Sequence, residues 1–137
     1  MARRKDRNGN IIRGTRAIST DGSSGVKVHN KSNIKLSADG AVGFATDEDD
    51  GGAGKLCQMT YEKEGLIYAT GKGNVAFILV KEQDNPEATH EHINNGKIIM
   101  DGDEAYAYAF SKTNGVNPNK YITHNVNNGE IVMAGNE

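Results

Sequence analysis

The chain has 137 residues, room for one domain, with 36% hydrophobic residues, 17 glycines, two prolines and no tryptophan. Such a composition excludes a disordered chain, yet it is lean for a globule built round one large core, and a stack of thin layers suits it better. The formal charge of −2 gives no global sign of nucleic-acid binding.

The charge is unevenly spread. All five arginines (Arg3, Arg4, Arg7, Arg13 and Arg16) lie in the first sixteen residues. With Lys5 and Asp6 they sum to +5, so the remainder carries −2 − 5 = −7. Residues 1–9 read as a basic, solvated leader. No apolar h-region follows these basic residues, so the stretch does not read as a secretory signal. No segment reaches the ~18 consecutive apolar residues of a transmembrane helix. Cys57 is the single cysteine and reads as a small buried hydrophobe.

Beyond the leader, the chain repeats. Asn94-Asn95-Gly96-Lys97-Ile98-Ile99-Met100 returns as Asn127-Asn128-Gly129-Glu130-Ile131-Val132-Met133, 127 − 94 = 33 residues later. A fainter copy begins at Asn30, two steps of 32 before Asn94. A fixed period of this size is the mark of a solenoid. The repeats span residues 10–137, in units of about 10–25, 26–56, 57–88, 89–121 and 122–137. In chain order, a first strand of each unit falls at Val26 to His29, Cys57 to Tyr61, Thr89 to Ile93 and Tyr121 to Val126. An Asn-rich turn follows, and Glu62 is expected to break its Asn ladder in the second copy.

The next strand is marked by Ile34, Leu66, Ile98 and Ile131, with Leu36, Tyr68, Met100 and Met133 two residues on. An apolar pair at i and i+2 is the sign of a half-buried strand. A small, glycine-rich turn comes next, at Ala38-Asp39-Gly40, Thr70-Gly71-Lys72-Gly73 and Gly102-Asp103-Glu104; the second copy reads as one residue longer. The last strand of the unit is Ala41-Val42-Gly43-Phe44, Asn74-Val75-Ala76-Phe77 and Ala105-Tyr106-Ala107-Tyr108. Matching Tyr106 and Tyr108 to Val42 and Phe44 places both tyrosines inside; the opposite face would give an exposed aromatic stripe. The chain then loosens at the same phase each time, at 47–54, 81–87 and 111–119.

Short strands with glycine corners and no helical period predict an all-β fold. Specifically, they predict a parallel β-helix of about four coils, with loops inserted on one side. The Asn-Asn-Gly-x-Ile-x-Met-x-Gly grammar, followed by a short Ala/Gly-aromatic strand, resembles repeats in the passenger domains of Gram-negative autotransporter adhesins. The resemblance implies a right-handed helix, secretion and display at the cell surface. It also implies a membrane contact only through a barrel that this chain lacks, so the chain reads as a fragment of a longer passenger.

Several constellations bear on chemistry. His90 and His92 alternate on one strand, and His124 lies either beneath His92 or beneath Glu91, according to whether the step is 32 or 33. Together the three are the candidate metal ligands. Asp47 to Asp50 and Asp101 to Glu104 are rich in hard oxygen donors but match no calcium-loop spacing. Asp39 and Asp103 share one phase, as a glycosidase pair would need. Gly71-Lys72-Gly73-Asn74 lacks the helix a phosphate loop requires.

No catalytic residue or cofactor is assigned. The expected function is a structural or adhesive segment, a platform whose loops contact a host or neighbouring-cell protein or glycan. The loop residues expected to carry it are Asp47, Glu48, Asp49, Asp50, Glu82, Asp84, Asn114 and Asn117. The alternative is a polysaccharide lyase or hydrolase on the same scaffold. Open strand edges at the ends of the stack predict end-to-end self-association.

Overall fold

A computed structural model describes residues 16–21, 27–48, 56–62, 65–81, 89–112 and 122–136. Among them are twelve strands and no helix. The strands are β1 (Arg16–Asp21), β2 (Lys27–Asn30), β3 (Ile34–Leu36), β4 (Val42–Glu48), β5 (Leu56–Tyr61) and β6 (Leu66–Ala69). They continue as β7 (Val75–Lys81), β8 (Thr89–Asn94), β9 (Lys97–Met100), β10 (Tyr106–Lys112), β11 (Ile122–Asn127) and β12 (Glu130–Met133). Every third strand joins the same sheet, giving three sheets in the orders β1-β4-β7-β10, β11-β8-β5-β2 and β12-β9-β6-β3. Every pairing among the described residues is parallel. The architecture is all-β and consistent with a parallel β-helix or solenoid.

Like residues stack on like. Phe44 lies over Phe77 at 4.9 Å between ring centroids, and Phe77 over Tyr108 at 5.3 Å, with the ring planes nearly parallel. Tyr61 meets Phe44 edge-on at 5.5 Å. Around this aromatic column Leu36, Ile67, Ala69, Ile98 and Met100 complete the core. Sheet β1-β4-β7-β10 is also buried on its other face, where Val42, Ala45, Val75, Ile78 and Val80 form a second cluster. Burial on both faces explains why Phe77 to Val80 reads as a continuous apolar run instead of an alternation.

The registers correct the sequence alignment at one strand. The aliphatic column runs Ile34, Ile67, Ile98, Ile131, with steps of 33, 31 and 33, and Leu66 pairs with Lys97 instead. Leu36 is followed by Ala69, not Tyr68, before Met100 and Met133. The cause is an insertion in the second copy, and it sits in the Asn corner, not the glycine turn. From Tyr61 to Ile67 is six residues; from Asn94 to Ile98 is four. Tyr61, not Glu62, therefore occupies the Asn column, between Asn30 and Asn94. Its hydroxyl donates to the Ser32 carbonyl at 2.7 Å. Beyond it the ladder resumes, with Asn94 Nδ2 donating to Asn127 Oδ1 at 2.9 Å and Asn128 Nδ2 to Asn95 Oδ1 at 3.0 Å.

The tyrosine pair divides. Tyr108 packs inside and donates to the Val126 carbonyl at 2.9 Å, whereas Tyr106 points outward, 54% exposed. The strand bends between these positions. Consecutive residues Ala76 and Phe77 both belong to the core cluster, and the pairing skips from Val75–Tyr106 to Phe77–Tyr108. This break in the period of two separates Tyr106 from Tyr108, which alternation places on one face.

Two glycine requirements shape the turn after each β3-type strand. Gly40 and Gly73 hold the left-handed conformation at φ 67°, a region most residues avoid. Glu104 takes the same place in the third copy at φ 54°. Gly71, Gly102 and Gly135 answer a different need. A Cβ on each would press against the carbonyl below, of Ala38, Gly71 and Gly102 respectively. The two causes predict different penalties. Gly73→Ala, whose Cβ meets open space, is expected to cost about 1 kcal/mol. Gly102→Ala, against an immovable backbone, is expected to cost about 2–3 kcal/mol. Urea denaturation of the two variants checks the order.

Burial pushes the Tyr61 and Tyr108 phenols from 10.0 up to about 12. Their neutral forms are thus favoured in the fold. That stability is fully present below pH 10 and is lost as pH rises towards 12. Alkaline unfolding followed by circular dichroism should show this window, and Tyr61→Phe with Tyr108→Phe should remove it.

Candidate functional site

β4, β7 and β10 end, and β5, β8 and β11 begin, at one junction, which the connections 49–55, 82–88 and 113–121 span. Each joins sheet β1-β4-β7-β10 to sheet β11-β8-β5-β2. The strands that feed them are in step, because Glu48 pairs with Lys81 and Lys81 with Lys112. The strands that receive them are in step as well, with Leu56 on Thr89 and Thr89 on Ile122. Parallel stacking therefore sets the ends of β4, β7 and β10 in one row and the starts of β5, β8 and β11 in another. Asp47 and Glu48 are the last two residues of β4. Their side chains lie outside the described residues, as do Asp49, Asp50, Glu82, Asp84, Asn114 and Asn117.

The histidines do not converge on one face. The step here is 33, so His124 pairs with Glu91, and His92 pairs with Asn125. His124 is exposed, with Nδ1 3.8 Å from Glu91 Oε1. His92 is buried, its Nε2 3.0 Å from Thr46 Oγ1 and its ring stacked 5.5 Å from Phe77. Opposite placement follows from adjacency, since neighbouring register positions face opposite ways on a strand. His90 lies in β8, and its side chain is outside the described residues. Among the described residues no group of three or more His, Cys, Asp or Glu side chains could hold a metal ion.

Two of the carboxylates singled out in the sequence, Asp39 and Asp103, bind backbone. Asp39 Oδ1 accepts the Lys72 amide at 2.9 Å, and Asp103 Oδ1 accepts the Asn136 amide at 2.8 Å. Lys72 stands in the column between them, and its Nζ is 3.0 Å from Glu104 Oε1. The Glu104 contact holds the Lys72 ammonium above its ordinary range. Asp101 Oδ2 accepts the Tyr68 hydroxyl at 3.3 Å.

One surface pair is not visible in the repeat pattern. His29 Nδ1 lies 2.8 Å from Glu62 Oε1 across the enlarged corner. The bond to His29 holds the Glu62 carboxyl below its usual range, and a second bond, from Asn95, adds to this. Its signal was the two-residue insertion, which brings Glu62 up to His29. Two further buried residues were not singled out as structural. Asn74 accepts the Ala41 amide at 3.0 Å and donates to the Leu36 carbonyl at 2.8 Å, knitting successive glycine turns together. Arg16 is buried at the start of β1.

Comparison with protein-family models, with curated proteins and with solved structures finds no match.

The scaffold role of Asp103 is open to test. Asp103→Ala strands the Asn136 amide and should cost about 1 kcal/mol. Asp103→Asn keeps an acceptor and should cost about half as much or less in the same urea titration.

Proposed function

We propose that this chain is a rigid spacer and platform in a secreted, autotransporter-like surface protein. In this reading the three sheets wind as a right-handed β-helix of about four coils. Recognition of a protein or glycan on a host or neighbouring cell sits on the side where the long connections leave. Membrane attachment belongs to a β-barrel elsewhere in the protein.

The observation that carries the reading is the shared point of departure of connections 49–55, 82–88 and 113–121 from in-step strands. A stack that holds its core by like-on-like columns leaves that side free to vary without loss of fold. The chemistry elsewhere points the same way, since Asp39, Asp103 and His92 are engaged in internal hydrogen bonds. End-to-end association belongs to the same reading. Among the described residues β10, β11 and β12 each pair on one side only, and Phe110 in β10 and Val132 and Met133 in β12 are exposed.

The test replaces residues 49–54 and 82–87 by Gly-Ser linkers of equal length. Wild-type and variant chains are then applied to a glycan array and to immobilised extracellular-matrix proteins. The expected result is binding by the wild type, at least about tenfold weaker in the variant, with unchanged β-sheet circular dichroism. Equal binding by the two chains overturns the assignment to this side.

A further inference from the structure

Two neighbouring strands gather four donor residues at adjacent register positions. Between β5 and β8 the register runs without a skip from Leu56–Thr89 to Tyr61–Asn94, so Cys57 is the partner of His90 and Met59 the partner of His92. Register partners in a parallel pair share a face, and so do residues two apart along a strand. The four Cα positions thus form a block about 4.8 Å across the strands and about 6.6 Å along them. The step of 33 that takes His124 away from His92 is the step that sets Cys57 beside His90, since 90 − 57 = 33. Both strands are interior to their sheet, β5 between β2 and β8, and β8 between β5 and β11. Their outer neighbours hold Val28 beside Met59, and Thr123 and Asn125 beside the two histidines, so the soft donors are confined to this one pair.

His92 shows the character of the face. It is buried, its ring stacks 5.5 Å from Phe77, and its Nε2 lies 3.0 Å from Thr46 Oγ1. Glu91, between the histidines, belongs to the opposite face, with Oε1 3.8 Å from His124 Nδ1. The side chains of Cys57, Met59 and His90 lie outside the described residues, and backbone register sets their place in the block.

We propose that Cys57, Met59, His90 and His92 form a binding site for monovalent copper. Thiolate, thioether and imidazole are soft donors, which select Cu(I) or zinc over the hard cations. The thioether points to copper, because zinc takes thiolate, imidazole and carboxylate ligands. Charge points the same way. Binding releases the Cys57 thiol proton to solvent, and a thiolate with a singly charged ion is neutral, whereas zinc would leave a net charge beside the buried His92. No electron is transferred. The Thr46 contact fits the role of an outer-shell partner. Ligation by His92 through Nδ1 puts the ring proton on Nε2, which then donates to Thr46 Oγ1 and fixes the tautomer. The inference does not rest on the adhesive reading.

The experiment titrates the whole chain with Cu(I), under reductant and without oxygen, against a chromogenic Cu(I) chelator; Zn(II) is titrated separately. The expected result is one Cu(I) per chain, bound at least about tenfold more weakly by Cys57→Ser and by His90→Gln. Thr46→Val is expected to weaken binding by about tenfold, and His124→Gln to bind as the wild type does. Circular dichroism checks that each variant keeps its β-sheet. A second readout needs no variant: Cu(I) should protect Cys57 of the native chain from alkylation. X-ray absorption should show both sulfur and nitrogen around the copper. The proposal is overturned by the absence of stoichiometric copper, by undiminished binding in folded Cys57→Ser or His90→Gln, or by an equal loss in His124→Gln. Tighter binding of Zn(II) than of Cu(I), an unprotected Cys57, or a copper with sulfur neighbours alone also overturns it.

Discussion

Vertical register is the constraint on which this structure depends. Each strand finds its backbone partners in the equivalent strands of neighbouring repeats, most often 33 or 31 residues away. Each hydrogen bond contributes about 1 kcal/mol net. Even so, the row holds only if every position above and below stays in step. Aromatic on aromatic, aliphatic on aliphatic and amide on amide are the side-chain expression of that rule. At the glycine corners the rule becomes steric, because backbones approach so closely that a methyl group would meet the next carbonyl.

The same constraint sorts residues by role. Groups that suggest chemistry in the sequence are, where described, mostly tied into the stack. Asp39 and Asp103 accept backbone amides, and Asn74 bridges two turns from a fully buried position. His92 pairs with Thr46 and packs against Phe77 of the aromatic column. What the stack leaves to variation is the junction from which the three long connections depart.

Much of this is legible in the sequence. The strands, the parallel all-β class and the Asn and glycine corners follow from a repeat of similar sequence, since each copy constrains the reading of the others. What misled was local. Leu66 and Ile67 are both aliphatic, so sequence likeness could not tell which one stands in the column. The two-residue insertion was hidden because it falls at Tyr61, where the Asn signature is missing. Tyr106 and Tyr108 were assigned one face because alternation assumes a straight strand, and this strand bends. The choice between His92 and Glu91 as neighbour of His124 turned on a single residue of register, which similarity at a period of 32 or 33 does not settle.

The corner at Tyr61 shows how the stack accommodates change. Two residues more than its neighbours carry are absorbed there, while the strands on either side remain paired above and below. The phenol ring lies where a Cβ on Gly65 would fall, and so packs directly against the chain at Gly65. Such a corner works as an expansion joint: length varies inside it without throwing the rungs out of step. It marks a place where foreign sequence can be spliced into the wall of the scaffold, provided the splice brings a bulky plug of its own.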